Sequence, residues 1–292
     1  MAALRFSQDA AECYIPDGSD FADAAARTTL LGIGAHPDDL EFMAYPGIAE
    51  GYAADRGCFA GVTCTDGAGS VQADGPKLST VALADLRREE QREAARIGRY
   101  GFMVQLAHPS RHAREAAMRP HLIEDLRQLL DTVQPKTVYT HNVFDRHPSH
   151  LGVVLAVIAA IKALPAERRP GQLLGCEVWR GLDWLPAGRK LSLNASRYPQ
   201  LAARLNGVFA TQTTGGKRYD LAVDGRRRAN ATFDNAHRAD AATHVTYAVD
   251  QTTLIRDGGP FVAEFVRVVS AEFSAELGAA IAEIGEPNSG QV

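Results

Sequence analysis

Ala35-His36-Pro37-Asp38-Asp39-Leu40-Glu41 stands where the apolar run Thr29-Leu30-Leu31-Gly32-Ile33-Gly34-Ala35 stops and an amphipathic run beginning near Leu40 takes over. A buried parallel strand reads as a short, continuously apolar stretch bounded by turn residues, so this junction is predicted to be a strand-to-helix turn. Open α/β sheets bind their ligands at that carboxyl end. A histidine and two carboxylates within four residues are costly there unless something binds them. Pro37 fixes its own φ and biases His36 towards extended geometry, which lets His36 and Asp39 turn inward from a rigid backbone, as a metal site requires. Two plainer readings compete. Asp38 or Asp39 can simply cap the following helix. Alternatively, Gly32-x-Gly34 can open a dinucleotide loop, but the third glycine is missing and the carboxylates would face a pyrophosphate.

Outward from the turn, the strand at about 28–35, a helix at about 40–55 and the β-branched run Cys58 to Thr65 make one βαβ unit. Asp66-Gly67-Ala68-Gly69-Ser70 then opens a polar stretch to about Ser79, long enough to be a lid or binding loop with a mobile tip. Val81 to Gly98 has helical spacing, and Arg87, Arg88, Glu89 and Glu90 read mostly as its solvated face. Phe102 to Ala107 reads as a strand ending in His108-Pro109, where a turn residue is favoured over a ligand because no carboxylate follows. Pro120 starts a helix to about Val133, and Pro135 ends it.

The strand Thr137-Val138-Tyr139-Thr140-His141 leads into Asn142-Val143-Phe144-Asp145-Arg146-His147-Pro148-Ser149-His150, followed by the apolar helical run Leu151 to Leu164. This second strand-to-helix junction carries His147 and His150, spaced so that one can reach a metal and the other stand beside it. Leu173 to Trp184 holds both tryptophans of the chain, and Trp179 flanked by Glu177, Arg180 and Asp183 suits either a sugar pocket or the core. Leu201 to Leu205 reads as helical and Phe209 to Gln212 as extended. Lys217, Arg218, Arg226, Arg227 and Arg228 form a local basic cluster, either solvated or a receptor for an anionic group. Phe261 to Ile284 reads as an amphipathic helix, with a frayed tail beyond it.

The 292 residues, 46% hydrophobic, suffice for a large core. Without internal repeats or a low-complexity linker, one domain over 1–292 is the simpler count, with a core at about 27–285 and a flexible tail at 286–292. A net charge of -4 gives no basic field for nucleic acid. No run approaches the length of a membrane span and the amino end lacks a signal-peptide pattern, so a cytoplasmic location is expected. Cys13, Cys58, Cys64 and Cys176 show neither C-x-x-C spacing nor a disulfide framework. A small polar substrate fits this chain better than a macromolecule, and a homo-oligomer is compatible with it.

His36, Asp39 and His150 supply two imidazoles and a carboxylate, a set that leaves a coordination position for water, as catalytic zinc sites do. Zn2+ is therefore the expected cofactor, with Fe2+ or another divalent ion also able to use these donors. Asp38 projects differently from the turn and is the candidate general base. His147 is placed to stabilise an oxyanion or protonate a leaving amine, and Asp145 to hold the His147 tautomer. Asp66, Arg87, Trp179 and Arg180 are the candidate substrate-binding residues.

The Ala-His-Pro-Asp-Asp turn, Thr65-Asp66-Gly67 after the second strand and His147-Pro148-Ser149-His150 together resemble the PIG-L/LmbE-like deacetylases over about residues 28–160. The resemblance implies a Rossmann-like α/β fold, with a mostly parallel sheet flanked by helices and extra C-terminal strands and a helix. It also implies a zinc-dependent hydrolase that removes the acetyl group from an N-acetylated amino sugar or its conjugate, acting on a linear amide C–N bond through water activated by the metal. Two positions depart from the family pattern. Ser149 stands where the second motif commonly has aspartate, which leaves Asp145 as the substitute, and Ala68 stands where glutamate is common, which implies a different substrate pocket. An amidase of a larger thiol or natural-product conjugate, and a catalytically silent carbohydrate-binding protein, are the alternatives.

Overall fold

The structure is a computed structural model and describes residues 4–54, 58–69, 77–213, 217–235 and 237–285. In chain order its elements are β1 (Glu12–Tyr14), α1 (Phe21–Arg27), β2 (Leu30–Gly34), α2 (Asp39–Met43), α3 (Tyr45–Ala53), β3 (Phe59–Thr65), α4 (Thr80–Gly98), β4 (Met103–His108), α5 (Ser110–Arg114) and α6 (Arg119–Val133). Then follow β5 (Thr137–His141), α7 (Pro148–Lys162), β6 (Gln172–Cys176), β7 (Lys190–Asn194), α8 (Pro199–Gly207), α9 (Ala210–Thr213), α10 (Tyr219–Phe233), β8 (Val245–Asp250) and α11 (Val262–Ile284). Of the expected 66–79 loop, residues 70–76 lie outside the described residues, as does the expected tail at 286–292.

The strands form one eight-stranded sheet in the order β1-β4-β3-β2-β5-β6-β8-β7. β4, β3, β2, β5 and β6 run parallel, while β1 joins β4 antiparallel at one edge and, at the other, β8 pairs antiparallel with β6 and β7 antiparallel with β8. The pleat divides the core in two. Leu31, Ile33, Val62, Val104 and Val138 face one side, with the apolar stripes of α6 and α7 and with Phe265 and Val269 of α11. Leu30, Phe59, Met103 and Tyr139 face the other, with α2, α3, α4 and α8. This is the mostly parallel, helix-flanked sheet expected, with the extra strands and helix at its C-terminal side.

The chain order places the site. β2 pairs with β3 on one side and with β5 on the other, so connections leave β2 and β5 in opposite senses at their carboxyl ends. That divergence is the crevice where such sheets bind ligands. Both histidine-bearing turns open into it.

Three expectations are corrected. The helix expected at 40–55 is two helices that meet at Ala44, whose φ of -107° and ψ of 16° break the ladder before Pro46, the second residue of α3. Phe209 to Gln212 is not extended, because the Phe209 carbonyl accepts from the N–H groups of Gln212 and Thr213 and starts the short α9. Arg87 and Glu90 do not belong to a solvated face: Arg87 is 2% exposed and Glu90 9%. Thr211 of α9 donates to both Glu90 carboxylate oxygens, at 2.8 and 2.6 Å.

Candidate metal centre and active site

Gly32 and Gly34 are packing glycines. A Cβ on Gly34 would lie 2.9 Å from the Asp39 Cβ, and one on Gly32 2.8 Å from the Phe59 ring. Their bareness lets α2 close onto β2 and brings the carboxylates of the turn against the strand end. Asp38 sits at the N-cap position with φ of 91°, in left-handed geometry that few residues other than glycine, asparagine and aspartate adopt. Its side chain makes no capping hydrogen bond and lines a cavity instead. Capping therefore does not account for Asp38.

The Asp39 carboxylate is the hub. Oδ2 accepts from the His36 N–H at 2.7 Å and stands 3.2 Å from His36 Nδ1 and 3.3 Å from His141 Nε2, while Oδ1 stands 3.4 Å from His150 Nε2. Two groups whose ligand atoms lie within 4.8 Å of one another result, Asp39/His141/His150 and His36/His147/His150. His150 belongs to both. It is fully buried, its Nδ1 meets Asp145 Oδ2 at 3.2 Å, and its Nε2 has no hydrogen-bond partner among the described residues. A buried imidazole nitrogen held by a carboxylate behind and aimed at a second carboxylate in front is the arrangement of a metal ligand, so the donors present fit a divalent ion.

His141, at the end of β5, was missed in the sequence. It is fully buried, stacks on His150 at 3.8 Å, and its Nε2 accepts the Ala35 N–H at 2.9 Å. That bond commits the Nε2 lone pair, so His141 braces the turn and is a poor ligand through that nitrogen. Its sequence signal was weak, because a single histidine closing a strand has no spacing partner.

The local electrostatics separate two adjacent carboxylates. Burial, then the neighbouring Asp39 and Glu41, hold the Asp38 carboxyl well above the usual carboxylate range. Asp39 is equally buried, yet His150 and His141 outweigh that and hold it well below. Burial acts to lower His150, but Asp39 and Asp145 raise it to about 9. Burial with His150 and His36 takes His147 down to about 4. Glu41, fully buried beneath the turn, accepts from Tyr100 Oη at 2.7 Å and Gln91 Nε2 at 2.9 Å, and burial pushes it up to about 7.

Asp145 differs from its expected pairing. Its carboxylate accepts from the backbone N–H of His147 and Trp179 and meets the ring of His150, not that of His147. The His147 Nδ1 is buried without a hydrogen-bond partner among the described residues. Gln251 anchors the same loop: it accepts the Val143 N–H and donates to the His141 carbonyl, crossing the sheet where Gly175 leaves room for its amide.

A cavity of about 730 Å³ opens over this cluster, lined by His36, Asp38, Asp39 and His147. Asp66, Arg87 and Trp179 of the expected substrate-binding residues also line it. Arg180 is exposed and is not part of its lining. Rings lead outward from the cluster: His36 meets His147 edge-on at 5.1 Å, Trp179 stacks on His147 at 5.8 Å, and Tyr219 stands edge-on to Trp179 at 6.0 Å. Arg87 donates to the Gly67 carbonyl beneath the cavity, and Gln212 of α9 to the Pro37 carbonyl at 2.6 Å. The expected basic cluster is dispersed along α10. Arg226 lines the cavity, Arg218 and Arg228 pair with Asp220 and Asp224, and Arg227 is buried against the Glu41 and Phe42 carbonyls.

His108 is no turn residue. Fully buried, it joins Asp125 at 2.9 Å through Nε2 and His112 at 2.9 Å through Nδ1, which ties α5 to α6.

The PIG-L family profile, described as GlcNAc-PI de-N-acetylase, matches residues 31–161, the segment that carries every residue of both clusters. An Escherichia coli K12 protein named uncharacterized deacetylase YaiS is 31% identical over 172 residues, 55% of this chain and 80% of that protein. The chain belongs to the PIG-L family of deacetylases. Among solved structures, the fold matches N,N'-diacetylchitobiose deacetylase from Pyrococcus horikoshii with a TM-score of 0.57 at 18% identity, covering 76% of this chain and 83% of that one. It also matches GalB, the 4-carboxy-2-hydroxymuconate hydratase from Pseudomonas putida KT2440, with a TM-score of 0.60 at 18% identity, covering 77% and 96%. At these identities the likeness is one of fold, which a deacetylase and a hydratase share.

Proposed function

We propose that this PIG-L protein is a zinc-dependent N-deacetylase of an N-acetylated amino sugar or its conjugate. The observation that carries the reading is the meeting of His36, Asp39 and His150 at the mouth of the β2–β5 crevice, with Asp38 and His147 lining the cavity above them. His36, Asp39 and His150 would hold the ion, while His141 is left to the Ala35 N–H. When bound, zinc supplies Lewis acidity, lowering the pKa of water from 15.7 to about 7 and polarising a carbonyl oxygen. The Asp38 carboxylate, not engaged in capping, accepts a proton from the attacking water. His147, its ring across from His36, stabilises the oxyanion as a neutral donor, and the proton that Asp38 takes from water passes on to the leaving amine. Asp145 orients the ring of His150 through Nδ1 and the backbone of His147 through its N–H. Trp179 and Tyr219 offer faces on which a sugar ring stacks.

The cavity volume falls in the range of about 300–1,000 Å³ typical of sites for drug-sized ligands, so a sugar with a substantial aglycone fits. The four cysteines are free thiols, in keeping with a reducing compartment such as the cytoplasm. No helix among the described residues is long and apolar enough to cross a membrane.

Metal content of the untagged protein, with amine and acetate release from a panel of N-acetylglucosamine derivatives, tests the reading. About one zinc per chain with stoichiometric acetate and amine is expected. His36→Ala and His150→Ala are expected to lose metal and turnover together. Metal binding with no acetate release from any member would favour the silent binder, and failure to take up a divalent ion would remove the mechanism.

A further inference from the structure

Five arginines, Arg87, Arg111, Arg114, Arg146 and Arg226, line the cavity that holds His36, Asp38 and His147, and the carboxylates in its lining are Asp38, Asp39 and Asp66. The chain as a whole has the opposite balance, with 31 basic and 35 acidic residues. Asp39 is moreover engaged by His36, His141 and His150. Arg87, 2% exposed, lies in the field of Asp38 and Asp66, and its Nη2 has no hydrogen-bond partner among the described residues. The outer arginines carry the surplus. Arg111, Arg114 and Arg146 are exposed, and none has a carboxylate within ion-pair distance among the described residues, whereas Arg92, Arg127, Arg168 and Arg189 do. Arg226 spends one N–H on the Val178 carbonyl.

The elements that carry these charges are held in place. Arg146 has its guanidinium carbon 6.0 Å from the Trp179 ring centre, beside the aromatic track that leads out from His147. Arg111 and Arg114 sit on α5, which the His112–His108–Asp125 chain ties to α6. The bare face of Gly152, two residues past His150, lets the Ala113 carbonyl rest directly on α7. The backbone that carries Arg111 and Arg114 is thus fixed relative to the metal cluster.

We propose that the substrate carries an anionic group, a carboxylate or a phosphate, on the far side of the sugar from the acetamide, and that Arg111, Arg114 and Arg146 receive it. The inference rests on the deacetylase reading and narrows its substrate class. Guanidinium groups suit either anion, since their forked donors match both geometries, and a cluster of one sign inside a cleft raises the local concentration of a counter-charged substrate.

The test compares kcat/KM of the zinc-loaded full chain for N-acetylglucosamine 6-phosphate, for the carboxymethyl glycoside of N-acetylglucosamine and for its uncharged methyl glycoside. A preference of about tenfold or more for a charged member is expected, carried by KM, shrinking as salt rises, and lost in Arg111→Gln/Arg114→Gln and in Arg146→Gln. Which charged member leads distinguishes phosphate from carboxylate. Equal kcat/KM for neutral and charged members would overturn the proposal while leaving the deacetylase reading intact. If no member releases acetate, that reading fails, and tryptophan-fluorescence titration with the same three compounds decides the proposal by itself. Tighter binding of a charged member that the double variant abolishes supports it; equal or absent binding of the charged members overturns it.

Discussion

Asp38 and Asp39 are chain neighbours with opposite fates. Left-handed backbone at Asp38 separates the two side chains, so that one carboxylate lines the cavity without a cap to make and the other is surrounded by imidazoles. Adjacent carboxylates whose environments drive their proton affinities apart are suited to different jobs. Asp38→Asn is expected to keep metal at about one ion per chain and to lower kcat by about 10²–10⁴, the usual worth of a general base, with little change in KM. Turnover within about tenfold of the parent would assign the base elsewhere. His141 calls for a different experiment, since its Nε2 satisfies the buried Ala35 N–H. His141→Leu strands that donor and is expected to cost about 1–3 kcal/mol in urea unfolding. His141→Gln can accept the same N–H and should recover most of that loss. Unchanged metal content in His141→Leu is the outcome expected of a brace; loss of the metal would make His141 a ligand.

Elements are placed by what their glycines leave out. The α5–α7 contact depends on Gly152, where a Cβ would fall on the Ala113 backbone, and backbone cannot swing aside as a side-chain tip can. Gly152→Ala is therefore expected to destabilise by about 1–3 kcal/mol and to weaken metal retention through His150 on the same helix. Gly278 in α11 makes the contrast: nothing lies within 4 Å of its missing Cβ, so Gly278→Ala should stabilise by about 0.5–1 kcal/mol through helix propensity. Urea midpoints moving in opposite directions would bear out both, and a neutral Gly152→Ala would show that α5 can shift away from α7. At this scale the sequence was legible where one element suffices. Thr137–His141 was bounded correctly because a strand buried on both faces reads as a short apolar run between turns. Arg87 and Glu90 were misread because a helical wheel assigns charges to solvent, and what buries them is α9, more than a hundred residues later. His108 escaped for the same reason, since it ends a strand and its partner Asp125 sits on α6. The Ala-His-Pro-Asp-Asp turn carries its own chemistry in consecutive residues and needed no such partner to be read. His141 acquires its role only when β5 lies beside β2, a fact of topology rather than of spacing.

Over the whole molecule, one sheet joins the ends of the chain to the metal cluster. β1 closes one edge, β8 and β7 the other, and the two site loops leave neighbouring strands near the middle. We expect the 292 residues to behave as one domain, unfolding in a single transition by near-ultraviolet and far-ultraviolet dichroism alike. The metal should set where that transition falls. Asp38, Asp39 and Glu41 share a buried pocket, where burial first and the neighbouring carboxylates second push Asp38 and Glu41 upward. An ion bound only to the folded chain adds about 2.7 kcal/mol when its free concentration is a hundred times its Kd. Chelation is expected to remove that increment and lower Tm by several degrees, and zinc to restore it in proportion to the logarithm of its concentration. The same treatment of His150→Ala should change nothing, because the site that couples the ion to folding is gone. A chelator effect that persists in His150→Ala would mean that the stabilising ion sits elsewhere, and the assignment of His150 as the ligand shared by both clusters would fall with it.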